Sequence, residues 1–293
     1  MANNVGTPRF YVNIAEYLST IGYTEIHDVF RLNPTSMKEG SIDDTTSHTF
    51  NIPMNILSSK GFAAFLGHDG TGNFNMSINY TDDIEINAER NSNTTDNNSL
   101  NPELEGFSLR SLDETNNDYI DVFCSSPLGS IVVGTYYDMP HSPDLSLKLS
   151  VEMDGVKNIQ TKGGATLSNA TYTKPADWGS GGAWQLGDNQ NYRNGRRVWD
   201  LSFSYLSDTD VMPVLGIQNY DDAITTDILD GTDFFSQVWN KTMGGHLPFI
   251  FQADNSINSP DGFAICRFDM NSLVLTQVGI NLYNCSLKIR ESW

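Results

Sequence analysis

Gly195-Arg196-Arg197-Val198-Trp199-Asp200-Leu201-Ser202-Phe203-Ser204-Tyr205 decides the fold class. Trp199, Leu201, Phe203 and Tyr205 occupy alternate positions, with Asp200, Ser202 and Ser204 between them. Successive side chains of a strand point to opposite faces, so this spacing predicts a strand with one apolar and one polar face. Further on, Phe234, Phe235, Val238, Trp239 and Met243 recur at helical spacing instead. They predict one principal helix over about 232–243, with Phe235, Val238 and Trp239 packed inward. Thr232 or Asp233 supplies an N-terminal cap, and Gly244-Gly245 ends the helix because glycine takes the left-handed conformation without strain.

Working outward, 249–251 and 263–268 read as strands, and one long strand is expected over about 273–289. The cleanest alternation upstream is Leu145, Leu147, Leu149, Val151 and Met153. Asp154-Gly155 then offers a hairpin turn, with 156–161 returning. Runs at 119–124 and 131–137 are further strands. Phe74, Met76, Ile78 and Tyr80 alternate as a half-buried strand, continued by Ile84 and Ile86 after a turn at Asp82-Asp83. Near the start, 8–14 is β-rich and Glu16-Tyr17-Leu18 reads as a single turn. The run 51–57 precedes 61–67, which suits either a short helix or a buried strand. Segments 90–103 and 175–195 are long polar loops. Two prolines in Met139-Pro140-His141-Ser142-Pro143 interrupt regular pairing. They divide an N-terminal β-rich region, 1–143, from a β domain, 144–293, although one continuous domain fits equally. No fixed-period repeat occurs. The expected fold is mainly β, a barrel, sandwich or jelly roll with one principal helix and long loops.

Hydrophobic residues make up 39% of the chain and charged ones 18%, the balance being rich in turn-forming Asn, Ser, Thr, Asp and Gly. With 17 basic and 36 acidic residues the net charge is −19. Clustered Lys and Arg are needed to follow phosphates, and only Arg193, Arg196 and Arg197 lie close together, so no nucleic-acid partner is expected. Three cysteines, Cys124, Cys266 and Cys285, do not make a disulfide framework and suit a reducing compartment. Cys266 and Cys285 read as two buried thiols, with a position across a hairpin from each other as the alternative. The opening 1–6 is polar and lacks a signal-peptide pattern, and no run reaches the ~18 apolar residues of a membrane span.

The histidines at 27, 48, 68, 141 and 246 are scattered, without zinc spacing. Gly179-Ser180-Gly181-Gly182 lacks the spacing of a nucleophile elbow, and no phosphate loop ends in Gly-Lys-Ser/Thr. Paired carboxylates at 43–44, 82–83 and 221–222 sit in turn-like contexts. No catalytic, cofactor-binding or metal-ligating residue is assigned. The candidates are interface residues: Trp178, Trp184 and Tyr192 in the glycine-rich loop, and Arg196 and Arg197 after it. Flat rings beside amides suit sugar stacking, but Trp and Tyr are also favoured at subunit contacts, which is the preferred reading here.

The ordered set from 196 to 293 resembles the C-terminal half of tailed-bacteriophage tail proteins of the distal-tail and minor-tail kind. The set runs from the Arg196-to-Tyr205 strand, through the 234–245 helix and Leu247-Pro248-Phe249-Ile250-Phe251-Gln252-Ala253-Asp254, to Ile289-Arg290-Glu291-Ser292-Trp293. The opening Pro8-Arg9-Phe10-Tyr11-Val12-Asn13 is similar to the start of many phage virion proteins. The resemblance implies a tail-tube-like β-barrel without an active site. It also implies assembly into a homo-oligomeric ring, often hexameric, with other tail or baseplate proteins as partners. The place would be the virion tail, assembled in host cytoplasm. A capsid decoration protein, a receptor- or glycan-binding virion protein, and a glycan-degrading enzyme are the alternatives.

Overall fold

A computed structural model of the chain describes residues 5–22, 28–32, 47–50, 54–56, 60–66, 73–78, 82–87, 103–104, 107–112, 115–117, 120–124, 129–152, 156–170, 196–212, 231–258 and 262–292. Among the described residues strands far outnumber helical turns, so the fold is mainly β. The N-terminal strands are β1 (Arg9–Asn13), β2 (Ser47–Phe50), β3 (Met54–Ile56), β4 (Gly61–Leu66), β5 (Asn73–Ile78), β6 (Asp82–Asn87), β7 (Glu103–Leu104), β8 (Phe107–Leu112), β9 (Thr115–Asn117), β10 (Ile120–Cys124) and β11 (Ser130–Asp138). There follow β12 (Lys148–Glu152), β13 (Val156–Gln160), β14 (Thr166–Ala170), β15 (Arg196–Ser207), β16 (Phe249–Gln252), β17 (Phe263–Phe268), β18 (Leu275–Gly279) and β19 (Leu282–Glu291). Two short helices, α1 (Ile14–Thr20) and α2 (Asp208–Val211), flank them.

An 11-stranded antiparallel sheet runs β12-β15-β19-β17-β16-β1-β11-β4-β8-β7, with β18 paired to β19 off that path. It draws strands from both sides of the prolines at 140 and 143. At its centre β1 lies between β11 and β16, so Phe10 faces Tyr137 on one side and Phe251 on the other. Gly134 in β11 is required there, because a Cβ would collide with the Val12 carbonyl oxygen.

Alternation along the central strands gives each face its own core. Phe10, Trp199, Leu201, Phe203, Phe249 and Phe251 are among the buried residues on one face. Their rings interlock: Trp199 lies 5.2 Å from Phe251, and Phe249 4.7 Å from Phe268. Tyr11, Phe62, Phe107, Val132, Ile250 and Phe263 belong to the opposite face. Phe107 of β8 touches Phe263 of β17, centroids 5.1 Å apart, although the strands stand well apart in sheet order. The sheet therefore curls around this second core. It remains open, which corrects the expected barrel: among the described residues its end strands, β12 and β7, do not pair.

The helix near 232–243 is π-helical over Phe235–Trp239, followed by turns. The Asn240 N–H reaches the Phe235 carbonyl at 2.8 Å and the Gly244 N–H the Trp239 carbonyl at 3.0 Å, both five residues back. Wider turns rotate the inward face relative to an α-helix. Phe234 and Val238 are buried, whereas Phe235 and Trp239 are only half-buried, the latter packing beside Phe268. Asp233 supplies the cap: its Oδ1 accepts the Ser236 N–H at 2.9 Å. Gly244 and Gly245 end the segment at φ +63° and +96°.

Several other expectations change. The ambiguity at 61–67 resolves over 61–66 as a strand, buried throughout, with residue 67 outside the described residues. The single turn at 16–18 is part of α1, capped by the Asn13 side chain. Asp82 and Asp83 begin β6 instead of forming its turn. The long strand expected over 273–289 is two, β18 and β19, turning back at Ile280 and Asn281, where Asn281 has φ 58°. Tyr205 leaves the apolar face of β15, because a bulge between Phe203 and Leu206 puts it at φ 61°. The segment 156–160 does not return along 148–152; it pairs with β14 in a separate two-stranded ribbon. Of the loop expected over 90–103 only Glu103 is described, and it opens β7; the rest of it and the expected loop 175–195 lie outside the described residues.

Candidate functional site

Of the five candidate residues, Arg196 and Arg197 are described and Trp178, Trp184 and Tyr192 lie outside the described residues. Both arginines open β15 at the sheet margin, where β12 and β19 flank it. Arg197 shares the apolar face with Trp199, and its guanidinium stands 5.2 Å from the indole ring. Its Nη2 donates to Glu291 Oε1 at 3.0 Å and to the Phe263 carbonyl at 2.9 Å. Nε and the backbone N–H both donate to Glu291 Oε2, at 3.3 and 2.9 Å. This side chain ties β15 to the last strand and to β17.

Arg196 projects to the opposite face, in register with Glu152 of β12. Arg290 bonds Glu152 at 3.0 Å and stands in register with Arg267, whose Nη1 donates to the His246 carbonyl at 2.6 Å. Lys288 pairs with Asp269 at 2.6 Å, and this hydrogen bond raises the lysine above its ordinary pKa. The result is a ribbon of alternating charge on a solvated sheet face. Such exposed pairs contribute little, and their own carboxylates occupy the cations that a phosphate would need.

A second polar cluster closes one end of the Tyr11 core. The β1 register sets Arg9 opposite both Asp138 and Gln252. The buried guanidinium grips Asp138 with two bonds, 2.6 and 3.1 Å, and lies 4.4 Å from the Tyr136 ring centroid. Asn255 Nδ2 donates to Asp138 Oδ1 at 3.1 Å. The Tyr11 hydroxyl donates to Gln252 Oε1 at 2.9 Å, and Gln252 Nε2 donates to the Ile257 carbonyl at 2.9 Å. Burial works against the Arg9 charge, but the contacts with Asp138 and Tyr11 together more than offset it and hold the group protonated. Burial also pushes the Tyr11 hydroxyl up to about 12. This cluster is absent from the expectations because Arg9 and Asp138 are 129 residues apart. The available signal was a single charge at one end of each of two largely apolar strands, Arg9 in β1 and Asp138 in β11.

Among the described residues, no group of His, Cys, Asp and Glu could hold a metal ion. Cys266 and Cys285 are free and buried. They do not face each other, since Cys266 stands in register with Glu291 and Cys285 with Phe203 and Leu275. Burial drives the Cys266 thiol well above its ordinary value and the Cys285 thiol to about 12, so both stay protonated. No described helix is long and apolar enough to cross a membrane.

The chemically available features are surfaces. The apolar alternation of β12 leaves Leu149 and Val151 exposed at the sheet margin. Exposed Val274, Val278 and Ile280 lie along β18 and its turn, and Ile159 and Leu167 on the β13–β14 ribbon. No family model, curated protein or solved structure matches the chain.

Proposed function

We propose that the chain is a non-enzymatic structural subunit that assembles with copies of itself. Its proposed setting is a ring in the tail or baseplate of a tailed-phage virion, next to other tail proteins. The observation that carries the assembly reading is the open sheet, whose margin strand β12 exposes Leu149 and Val151. An edge strand with exposed apolar side chains is a pairing template that soluble monomers normally cover or charge, and in β12 only the two end residues, Lys148 and Glu152, carry charge. The sequence order from 196 to 293 supplies the virion setting, and the intramolecular ion pairs of Arg197 and Arg9 suit a rigid building block.

The test is the solution mass of the purified chain over a concentration series, combined with electron microscopy of the assemblies. Rings of discrete subunit number support the reading. A chain that remains monomeric at all concentrations and binds glycans would transfer it to the receptor-binding alternative. Turnover in a hydrolase screen, abolished by a single Asp or Glu substitution, would make it an enzyme.

A further inference from the structure

We infer that the β13–β14 ribbon of one copy docks on a corner of a second copy formed by Tyr205, Ile280 and α2. The inference rests on the self-assembly reading and adds the two surfaces that meet.

Among the described residues the ribbon pairs with no other strand. Two strands alone are marginal in water. Ile159 and Leu167 stand opposite each other in register, 62% and 60% exposed. They form an apolar cross-strand pair with no core beneath it. Lys157 lies two residues before Ile159 and so on the same face. Across 156–170 there are two lysines and no acidic residue, in a chain whose net charge is −19.

The corner is a different surface. The bulge of β15 turns Tyr205 outward, 70% exposed, and the β18–β19 turn presents Ile280, 89% exposed. From 270 to 287 there is no charged residue at all, so this edge lacks the charges that usually guard one. Acidic groups sit at its rim instead. Asp208 and Asp210 of α2 are half-exposed, and the Asp208 N–H donates to the Asn281 carbonyl at 3.0 Å, which holds α2 against the turn.

Two copies of so acidic a chain repel each other over most of their surfaces. Association is therefore favoured where acid is missing on one partner and apolar surface is exposed on both. The ribbon and corner meet that condition: Ile159 and Leu167 cover Ile280 and Tyr205, while Lys157 reaches the Asp208 rim. Because the two surfaces are distinct, the contact is head-to-tail and leaves a free ribbon and a free corner at the ends. Such contacts close into a ring or continue as a filament.

Sedimentation velocity of the full chain tests this with two variants, Ile159→Asp with Leu167→Asp, and Tyr205→Asp with Ile280→Asp. All four positions are exposed, and circular dichroism checks that each variant folds. The wild type is expected to assemble and each variant to stay monomeric. A 1:1 mixture should give dimers that grow no further, since it retains one intact ribbon and one intact corner. Lys157→Glu should weaken assembly about fivefold, and adding Asp208→Lys should restore it. Assembly unchanged in both variants would overturn this contact while leaving the self-assembly reading in place. A mixture that stays monomeric would overturn the head-to-tail geometry. A wild-type chain monomeric at every concentration would overturn both.

Discussion

Segments 145–152 and 196–207 carry the same alternation of apolar and polar residues, and they are neighbours in the sheet, yet they end differently. In β15, Trp199, Leu201 and Phe203 are buried. In β12, Leu149 stands in register with Trp199 and remains exposed, as does Val151. Alternation reports which residues share a face. Whether the face is covered depends on what lies above it: Phe234 of the helical segment packs on Phe10, Tyr137 and Phe268, toward the sheet centre and away from the β12 margin. The difference teaches that a strong strand pattern at a sheet edge is a surface to be explained.

The largest expected effect tests this contrast directly. Phe203→Ala should cost about 3–5 kcal/mol, because the emptied volume lies in a closed aromatic core. Val151→Thr should change the stability of the monomer by less than about 0.5 kcal/mol. Urea denaturation of both variants at a concentration below assembly measures the difference. Equal losses would mean that the margin is covered after all.

Charge sharpens the same distinction. Arg9 and Asp138 pair at the sheet centre, with side chains 8% and 24% exposed, whereas Arg290 and Glu152 pair at the margin, 32% and 43% exposed. Asp138→Ala leaves a buried guanidinium without its partner and should cost about 3 kcal/mol. Arg9→Met with Asp138→Leu should recover most of that loss, since no charge is then stranded. Glu152→Ala should cost under about 1 kcal/mol. Thermal melts of the three variants decide it, and a double variant as unstable as the single one would show that the pair contributes more than relief from desolvation.

The margin–centre difference also marks how much was legible in the sequence. Alternation in 196–203 and the helical spacing of Phe234 and Val238 depend on local geometry, so strand and helix were readable. The position of β12 at an edge, and of β13 away from it, depends on which strands pair across long separations, and no local spacing carries that. The switch from α to π at Phe235 rotated Trp239 partly outward, since five-back hydrogen bonds are not visible in apolar spacing. The bulge at Tyr205 was hidden because an aromatic residue at the next alternate position looks like continued strand. At the site, Arg197 is singled out by its sequence, but its partner Glu291 comes from the last strand, 94 residues on. The Arg9 cluster joins strands from both halves and left no joint signal.

Alkaline pH tests the sheet centre at a third level. Burial raises Tyr11 from 10.0 to about 12, so the folded state keeps a proton that the unfolded chain releases. Stability from this group is fully present below pH 10 and is lost as pH rises from 10 through 12. The loss should reach roughly 2–3 kcal/mol, at 1.36 kcal/mol per pH unit of displacement. Tyr11→Phe should make the stability profile shallower in that window by this one group's share, with the buried Cys266 and Cys285 thiols and Tyr137 keeping the rest of the slope. Matching profiles for wild type and Tyr11→Phe would show that the buried hydroxyl does not govern alkaline unfolding.

The smallest effect concerns the place where β15 abandons its own alternation. Tyr205 has φ 61°, a conformation that costs a residue with a Cβ about 1–2 kcal/mol and glycine almost nothing. The ring makes up little of the loss on substitution because it is largely exposed, and the backbone N–H that donates to Asn284 Oδ1 at 3.1 Å is kept by any residue but proline. Tyr205→Gly should therefore raise monomer stability by about 1 kcal/mol, net of the extra freedom glycine has when unfolded. For a chain of this length that is a rise of about 2 °C in Tm. Strain of this kind persists where something else depends on the residue. If the stabilised variant also assembles less well, the strain is maintained by the contact at this corner. A Tm that falls instead would show that the outward ring packs on its own chain, and the bulge would then belong with the buried part of β15 and not with its exposed margin.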